Sequence, residues 1–230
     1  MKKQILIGMS VLSLCFSAFA GDAAVFVDGG FSKDGKVYVF GQYGKTDKRF
    51  EAYAELYTVR VAENDFIKGE NFKTGPSAAT VNKNGKDLYE QLCGKSYGTL
   101  KKYGLAPTSP DNVLYIRSDV QKKGTDEILF QDFEDGAVSY RVSLKPTVKK
   151  ENGTVSSSFY IAVQKLDGNG TVTASYTVGS PKYWRKNVSG YCVDKIFKDA
   201  GGKSLVFVVE KTVEDATGKC IRYMVETITL

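Results

Sequence analysis

The sequence contains no histidine, and this absence excludes much of the commonest enzyme chemistry. Without an imidazole there is no Ser-His or Cys-His pair to activate a nucleophile, and the most widely used general base and metal ligand is missing. Cysteine is scarce, and its four residues show no Cys-x-x-Cys spacing, which argues against zinc ribbons and dithiol redox sites. The complete phosphate-binding motif Gly-x-x-x-x-Gly-Lys-Ser/Thr is also absent. The sequence therefore assigns no cofactor, no metal ligands and no catalytic residue.

Concentrated positive charge is absent as well. The formal net charge is +6, and it falls to +4 when Lys2 and Lys3 are removed with an N-terminal segment. The remaining Lys and Arg residues are scattered among nearly as many carboxylates, whereas a nucleic-acid-binding surface requires clustered basic residues. We therefore expect no nucleic-acid partner.

Only one long apolar run occurs, at residues 5–19, directly after Lys2 and Lys3. It is shorter than the ~20 residues that a membrane-spanning helix needs, and it ends in the small-x-small sequence Ala18-Phe19-Ala20. Residues 1–20 are therefore predicted to be a signal peptide cleaved after Ala20, which makes the protein secreted or periplasmic with no membrane span. Acylation of Cys15 is the alternative, but Leu14 stands where a lipoprotein signal requires a small residue.

The mature chain, residues 21–230, has the pattern of a single mainly-β domain. Apolar and β-branched segments alternate with turns such as Asn152-Gly153 and Gly201-Gly202, which predicts antiparallel sheets, sandwich-like or partly propeller-like. We expect an N-terminal hairpin unit at 21–75 and a C-terminal run of strands at 111–230. The candidate strands of that run are 113–118, 127–133, 137–145, 155–166, 171–178, 190–197, 204–213 and 219–229.

One segment departs from the β pattern. Apolar residues recur at steps of three and four between positions 84 and 103, which predicts one amphipathic helix with a single buried stripe. Asn84 is a candidate N-cap, paired with Asp87 three residues later, and Gly104 is a candidate C-terminal stop. Cys93 lies on the apolar stripe.

The three mature cysteines are not predicted to form a disulfide. If the last three candidate strands form a meander, Cys192 and Cys220 lie on its first and third strands. Strands two apart are ~9–10 Å distant, beyond the ~7 Å between Cα atoms that a disulfide can bridge.

The segment Gly30-Phe31-Ser32-Lys33-Asp34-Gly35, followed by a strand, resembles the turn that opens a blade in WD40-like propeller repeats. It is more similar to the opening of a family of predicted secreted bacterial proteins with no assigned function. Further positions that resemble this family are Phe40, Tyr43-Gly44, Tyr53-Ala54, Tyr57, Asp65 and Gly69, then Ser180-Pro181, Trp184-Arg185 and Val188-x-Gly190-Tyr191. The resemblance implies secretion and one folding unit, and it implies no chemistry. A closed propeller is not expected, because the Asp-Gly turns at 34, 135 and 167 do not keep a blade period of roughly 40–45 residues.

Aromatic residues are the only compositional feature that indicates a function. We predict that Tyr43, Tyr53, Tyr57, Trp184 and Arg185 contribute to a binding surface, because Tyr, Trp and Arg are enriched at binding hot spots. Pro181 and the strand expected from Gly190 place Trp184 and Arg185 on a loop or at the start of a strand, with Tyr183 or Trp184 exposed.

Two functions follow from these features. The first is a non-enzymatic binding or assembly module of the cell envelope, with an envelope protein or a glycan as partner and an oligomeric state left open. The alternative is a carboxylate-dependent hydrolase of a polysaccharide or peptidoglycan-type substrate, since two carboxyl groups suffice for glycoside hydrolysis. Candidate carboxyl sets are Glu51 with Glu55, and Asp132 with Glu134 and Asp135.

The processing prediction can be tested directly. Intact-mass measurement of protein isolated from the envelope should give the mass of the chain that begins at Gly21. A lipid adduct on Cys15 would contradict the prediction and make the protein membrane-anchored.

Overall fold

The computed structural model describes residues 21–118, 127–132, 136–215 and 218–230. The predicted signal peptide, with its cleavage site after Ala20, lies outside the described residues. Within them the chain forms thirteen β-strands, one α-helix and three short 3-10 turns, at Ala78–Thr80, Lys101–Tyr103 and Pro110–Asn112. Before the helix α1 (Gly85–Leu100) come β1 (Val25–Phe31), β2 (Val37–Lys45), β3 (Ala52–Arg60), β4 (Asp65–Phe66) and β5 (Phe72–Thr74). After it come β6 (Val113–Ile116), β7 (Glu127–Gln131), β8 (Ser139–Glu151), β9 (Thr154–Leu166), β10 (Val172–Lys186), β11 (Val188–Lys198), β12 (Ser204–Asp215) and β13 (Gly218–Thr229).

The strands form three antiparallel sheets, which confirms the mainly-β prediction. The N-terminal sheet has the order β1-β2-β3-β4, with β5 also paired to β3. The middle sheet has the order β10-β9-β8-β7, and the C-terminal sheet has the order β13-β12-β11-β6. Consecutive strands are neighbours in most of these pairs, because tight turns such as Asn152-Gly153, both with positive φ, join them. In the part of the chain that the structure describes, these three sheets do not confirm the propeller resemblance.

The C-terminal sheet is packed on both faces. Its strand β12 carries the apolar run Leu205–Val209, and every side chain of that run is 0% exposed. Leu205, Phe207 and Val209 pack in one core with the middle sheet, while Val206 and Val208 pack in a second core with the N-terminal sheet. Successive strand residues point to opposite faces, so an unbroken apolar run is what a strand between two layers requires.

Helix α1 covers the outer face of the N-terminal sheet. Leu88, Tyr89 and Leu92 on one face of the helix pack against side chains of β2 and β3. Asn84 is the N-cap, and its side chain accepts a hydrogen bond from the Lys86 N–H, two residues on, rather than forming the expected pair with Asp87. Gly104 is left-handed, with φ of 57°, after the short turn Lys101–Tyr103, so the predicted range 84–103 matches the whole helical segment. Among the described residues, no helix is long and apolar enough to cross a bilayer.

The open edge of β13 is covered by the N-terminal part of the chain. The Ala24 N–H donates to the Ile221 carbonyl and the Ile221 N–H to the Asp22 carbonyl, at 3.0 and 2.8 Å. Farther along β13, the side-chain oxygens of Gln42 and Asn64 accept from main-chain N–H groups. These bonds satisfy an edge that would otherwise be a template for aggregation, and they fix the N-terminal sheet beside the C-terminal sheet.

The last three strands, β11, β12 and β13, form the expected antiparallel meander. Cys192 lies on β11 and Cys220 on β13, with β12 between them. Cys93 lies on α1 and is partly buried beside the apolar stripe. The strand order therefore keeps Cys192 and Cys220 too far apart for a disulfide.

Two glycines test the packing of the helix on the sheet. A Cβ on Gly41 of β2 would lie 2.2 Å from a ring carbon of Tyr89, whereas a Cβ on Gly94 of α1 would meet no atom within 4 Å. We expect Gly41→Ala to lower the free energy of unfolding by about 1–3 kcal/mol through overpacking. Gly94→Ala should raise it by about 1 kcal/mol, because alanine is the better helix former. Chemical denaturation of both variants measures the difference, and a neutral Gly41→Ala would contradict the helix position.

Candidate functional site

A cleft of about 950 Å³ lies where the three sheets meet, since each sheet contributes residues to its lining. The N-terminal sheet contributes one wall, and β10 of the middle sheet contributes another. The C-terminal sheet supplies Lys211 and Val213 near the end of β12 and the segment 223–226 of β13. The residues that define its chemistry are Phe40, Tyr57, Phe66, Lys73, Tyr183, Trp184, Arg185, Lys211, Tyr223 and Glu226.

Stacked aromatic rings form the wall from the N-terminal sheet. The Tyr57 ring stacks on Phe40 with centroids 5.0 Å apart, and Phe66 lies 5.3 Å from Tyr57. The Tyr57 hydroxyl donates to Glu55, whose carboxylate also accepts from Gln42 and lies 3.6 Å from the Lys73 ammonium. Burial, followed by the Glu55 charge, raises the pKa of Tyr57. The wall is thus an aromatic surface, with the Lys73 ammonium 4.8 Å from the Tyr57 ring centre and the exposed Phe66 at its rim.

A large bulge in β10 forms the opposite wall. Ser180 is paired with Phe159 and Arg185 with Ser157, so five steps along β10 correspond to two along β9. Residues 181–184 therefore leave the ladder, as expected at Pro181, which has no N–H to donate. Tyr183 is 62% exposed and Trp184 is 37% exposed. The sequence placed this segment on a loop or at a strand start, whereas it is an interruption within one long strand.

Arg185 returns inward from the bulge. Its guanidinium lies 4.9 Å from the Phe159 ring centre and 4.8 Å from that of Tyr183, and Nη2 is 3.4 Å from Oε1 of Glu226. Nη1 is buried and has no hydrogen-bond partner among the described residues. Since an unsatisfied buried donor is costly, this group is a strong candidate to contact a ligand.

Glu226 is the buried carboxyl group of the cleft, with a side chain that is 6% exposed. Burial raises its pKa, while the hydrogen bond donated by Asn64 and the Arg185 charge oppose that rise. Both carboxylate oxygens thus have protein partners, Asn64 on Oε2 and Arg185 on Oε1. The group is held as an anchor for Arg185.

Lys211 of β12 also lines the cleft, and it is partly buried. Burial lowers its pKa, the nearby cations Arg185, Lys73 and Arg222 lower it further, and Glu55 opposes them. Within the described ranges the structure shows no ion pair or hydrogen bond from its ammonium group. Lys211 is therefore a partly buried cation with no ion pair among the described residues, on which Glu55 acts more strongly than any single neighbouring cation.

The structure brings together three of the five residues predicted for a binding surface: Tyr57, Trp184 and Arg185. Tyr43 and Tyr53 do not line this cleft. Tyr43 points to the opposite face of the N-terminal sheet, where its ring lies 5.7 Å from Tyr89 of α1. Tyr53 shares the face of Tyr57 but is only 3% exposed, with the Arg222 guanidinium 4.3 Å from its ring centre.

The carboxyl sets suggested for hydrolysis lie elsewhere. Asp132 forms a buried ion pair with Lys198, at 2.8 and 3.0 Å, and Glu134 and Asp135 lie outside the described residues. Glu55 is held by Gln42, Tyr57 and Lys73, and neither it nor Glu51 lines the cleft. The sequence analysis did not identify Lys211, Phe66 and Glu226. An isolated charged or aromatic residue in a strand resembles an ordinary surface residue until the register of strand pairing shows which residues lie next to it.

Two segments match, fully or in part, sequence motifs of catalytic or phosphate-binding sites, but neither lies in the secondary structure that its motif requires. Gly94-Lys95-Ser96-Tyr97-Gly98 has the Gly-x-Ser-x-Gly form of a nucleophile elbow, which belongs on a turn from a strand to a helix. It lies inside α1, and the buried Ser96 hydroxyl donates to the Cys93 carbonyl. The second segment, from Gly30 to Lys36, matches the start of the phosphate-binding motif Gly-x-x-x-x-Gly-Lys-Ser/Thr. It has Val37 where the motif requires Ser or Thr, and it forms a β-hairpin turn. Neither is a catalytic site.

These features define a mainly-β protein of three antiparallel sheets and one helix, with an aromatic and cationic cleft between the sheets. The chain belongs to the family described as predicted secreted protein (DUF2259), whose family model matches residues 39–229. The matched range begins after Gly30–Gly35, so the family is confirmed without support from that motif or from its propeller resemblance. Comparison with curated proteins finds no significant match. Comparison with solved structures also finds none.

The exposure of Trp184 predicts a small effect on stability. Trp184→Ala should lower the free energy of unfolding by about 1 kcal/mol or less, because the ring lies on a bulge and is contacted on one face by Lys149. Phe159→Ala, in the core below, should lower it by about 3–5 kcal/mol. Equal losses in chemical denaturation would show instead that Trp184 is a core anchor.

Proposed function

We propose that this secreted protein is a non-enzymatic binding module of the cell envelope, located in the periplasm or at the cell surface, and that its cleft holds a glycan. The observation that carries the proposal is the pair of aromatic walls, Tyr57 with Phe66 on one side and Tyr183 with Trp184 on the other. Rigid aromatic side chains provide a large contact area at little cost in conformational entropy.

The cleft also has the polar groups that a ligand site needs. Ligand sites combine apolar and aromatic walls with a few fixed polar side chains that set orientation. Arg185 is held by Glu226 and by the rings of Phe159 and Tyr183, so its position is fixed before a ligand arrives. Exposed Tyr and Trp rings beside a fixed Arg are the residue types that carry binding energy at recognition sites.

Hydrolysis of a polysaccharide or peptidoglycan-type substrate is the second candidate, and the raised pKa of Glu226 favours it. A glycosidase needs such a carboxyl as general acid and a second carboxyl roughly 5–9.5 Å away. Asp65, the other carboxylate that lines the cleft, is largely exposed and lies beside Arg60. Release of reducing ends from envelope glycans that is abolished by both Glu226→Gln and Asp65→Asn would support hydrolysis over binding.

Co-sedimentation with insoluble envelope material tests the binding role. Wild-type mature protein should pellet with the envelope fraction, and Trp184→Ala should reduce the bound fraction at least severalfold while leaving the protein folded. Tyr97→Ala is the matched control, because Tyr97 is 68% exposed on α1 and does not line the cleft. Equal binding by wild type and Trp184→Ala would contradict the proposal.

Protease treatment of the envelope material distinguishes the two classes of partner. A glycan ligand predicts that Trp184-dependent binding survives the treatment. Loss of binding would show that the partner is an envelope protein and that the module serves assembly.

A further inference from the structure

The positive charge in the cleft exceeds what the surrounding side chains neutralise. Four cationic side chains line it, Lys73, Arg185, Lys186 and Lys211, against the two carboxylates Asp65 and Glu226. Glu226 is already paired with Arg185, and Asp65 lies beside Arg60. Outside the lining, Glu55 faces Lys73 at 3.6 Å. An excess of cationic donors thus remains within the cleft.

Two of these donors have no hydrogen-bond partner among the described residues. Nη1 of Arg185 is buried without a partner among the described residues, although Nη2 of the same guanidinium reaches Glu226. Lys211 is partly buried and surrounded by Arg185, Arg222 and Lys73, with Glu55 as the one carboxylate acting on it. An unsatisfied buried donor is costly, so an incoming anion that accepts a hydrogen bond from Nη1 would gain an interaction that no described side chain provides.

The position of Lys211 also argues against a purely structural role. Lysine commonly covers apolar surface with its methylenes while the ammonium group reaches water. Here burial lowers the pKa of the ammonium group, Glu55 is the charge that acts on it most strongly and raises the pKa, and the cations Arg185, Lys73 and Arg222 lower it. A fixed Arg fork beside a Lys point charge is a well-suited pair for a carboxylate or a phosphate.

We infer that Lys211 and the unpaired Nη1 of Arg185 form an anion subsite in the cleft, which binds a carboxylate or phosphate carried by a glycan whose sugar rings lie against Trp184 and Tyr183. This inference rests on the proposed glycan-binding function and names its ligand class, an acidic sugar.

The single tryptophan of the chain can serve as a fluorescent probe of ligand binding at this subsite. Trp184 is the only tryptophan in the chain, and it lines the cleft beside Arg185. Fluorescence excited at the long-wavelength edge of tryptophan absorption, where tyrosine hardly absorbs, therefore reports from this position alone, with no label added. Titration with glucuronate, glucose 1-phosphate and glucose presents one sugar ring with a carboxylate, a phosphate or no charge.

Wild-type protein at low ionic strength should bind both acidic sugars saturably, with an apparent dissociation constant at least tenfold lower than for glucose. Lys211→Gln should abolish that preference and leave the response to glucose unchanged, while Lys211→Arg should retain it. Lys86→Gln, a charge removal on the exposed start of α1, is the matched control and should behave as wild type. Thermal unfolding of each variant verifies that it is folded.

Absence of a preference for acidic sugars in wild type would overturn the inference, as would a preference that survives Lys211→Gln. Phosphatidylglycerol vesicles, compared with phosphatidylcholine vesicles, test a lipid source of the anion. Lys211-dependent binding to those vesicles without binding to acidic sugars would overturn the glycan assignment. Trp184-dependent co-sedimentation that persists in Lys211→Gln would refute the anion subsite alone, whereas loss of Trp184 dependence would refute the proposed function itself.

Discussion

The burial of β12 on both faces determines how the three sheets are layered. Each side chain from Leu205 to Val209 is fully buried, so this strand must lie between two layers rather than at the surface. The middle sheet covers one face and the N-terminal sheet the other, and α1 then covers the outer face of the N-terminal sheet. The same strand continues past its apolar run to Lys211, on the face that carries Val209 two residues earlier. The cleft lies where the apolar packing around β12 ends.

Buried charges at the margins of these cores are paired, unlike two of the cationic groups in the cleft. Lys198 and Asp132 form a buried pair between the C-terminal and middle sheets, and Arg222 makes two bonds to Asp22 beside the Tyr53 ring. Such pairs add little net stability, but leaving one partner alone would be costly. Against this background, Lys211 and the free Nη1 of Arg185 are exceptions.

Much of the fold could be predicted because its signals are local. Period-two segments separated by turns located the strands, and three- and four-residue spacing located the helix between Asn84 and Gly104. The extension of β10 to Lys186 was missed, because Pro181 usually ends a strand and only the pairing with β9 shows that the strand resumes at Arg185. Bulges depend on the partner strand, and a single segment does not encode them.

The candidate site could be predicted only in part, because it depends on register between distant segments. Residue type alone grouped Trp184 and Arg185 with Tyr57 in one predicted surface, but the sheet register that brings them together across more than a hundred residues is not encoded in any single segment. Tyr43 and Tyr57 lie close in sequence, yet the pairing of Tyr43 with Ala54 and of Phe40 with Tyr57 puts the two tyrosines on opposite faces of one sheet. Tyr53 has the correct face, but Arg222 from β13 covers it.

The contacts of Glu226 favour the proposed binding role over the proposed hydrolysis. A general acid must exchange its proton with the substrate, whereas both oxygens of Glu226 are engaged by Asn64 and Arg185. Those same contacts fix Arg185 against Phe159 and Tyr183, and they leave Nη1 directed away from every described acceptor. In the proposed binding role, a charged ligand would complete this arrangement, because Glu226 already positions Arg185 and Lys211 has no ion pair among the described residues. Catalysis would require Glu226 to release the partners on which that arrangement depends.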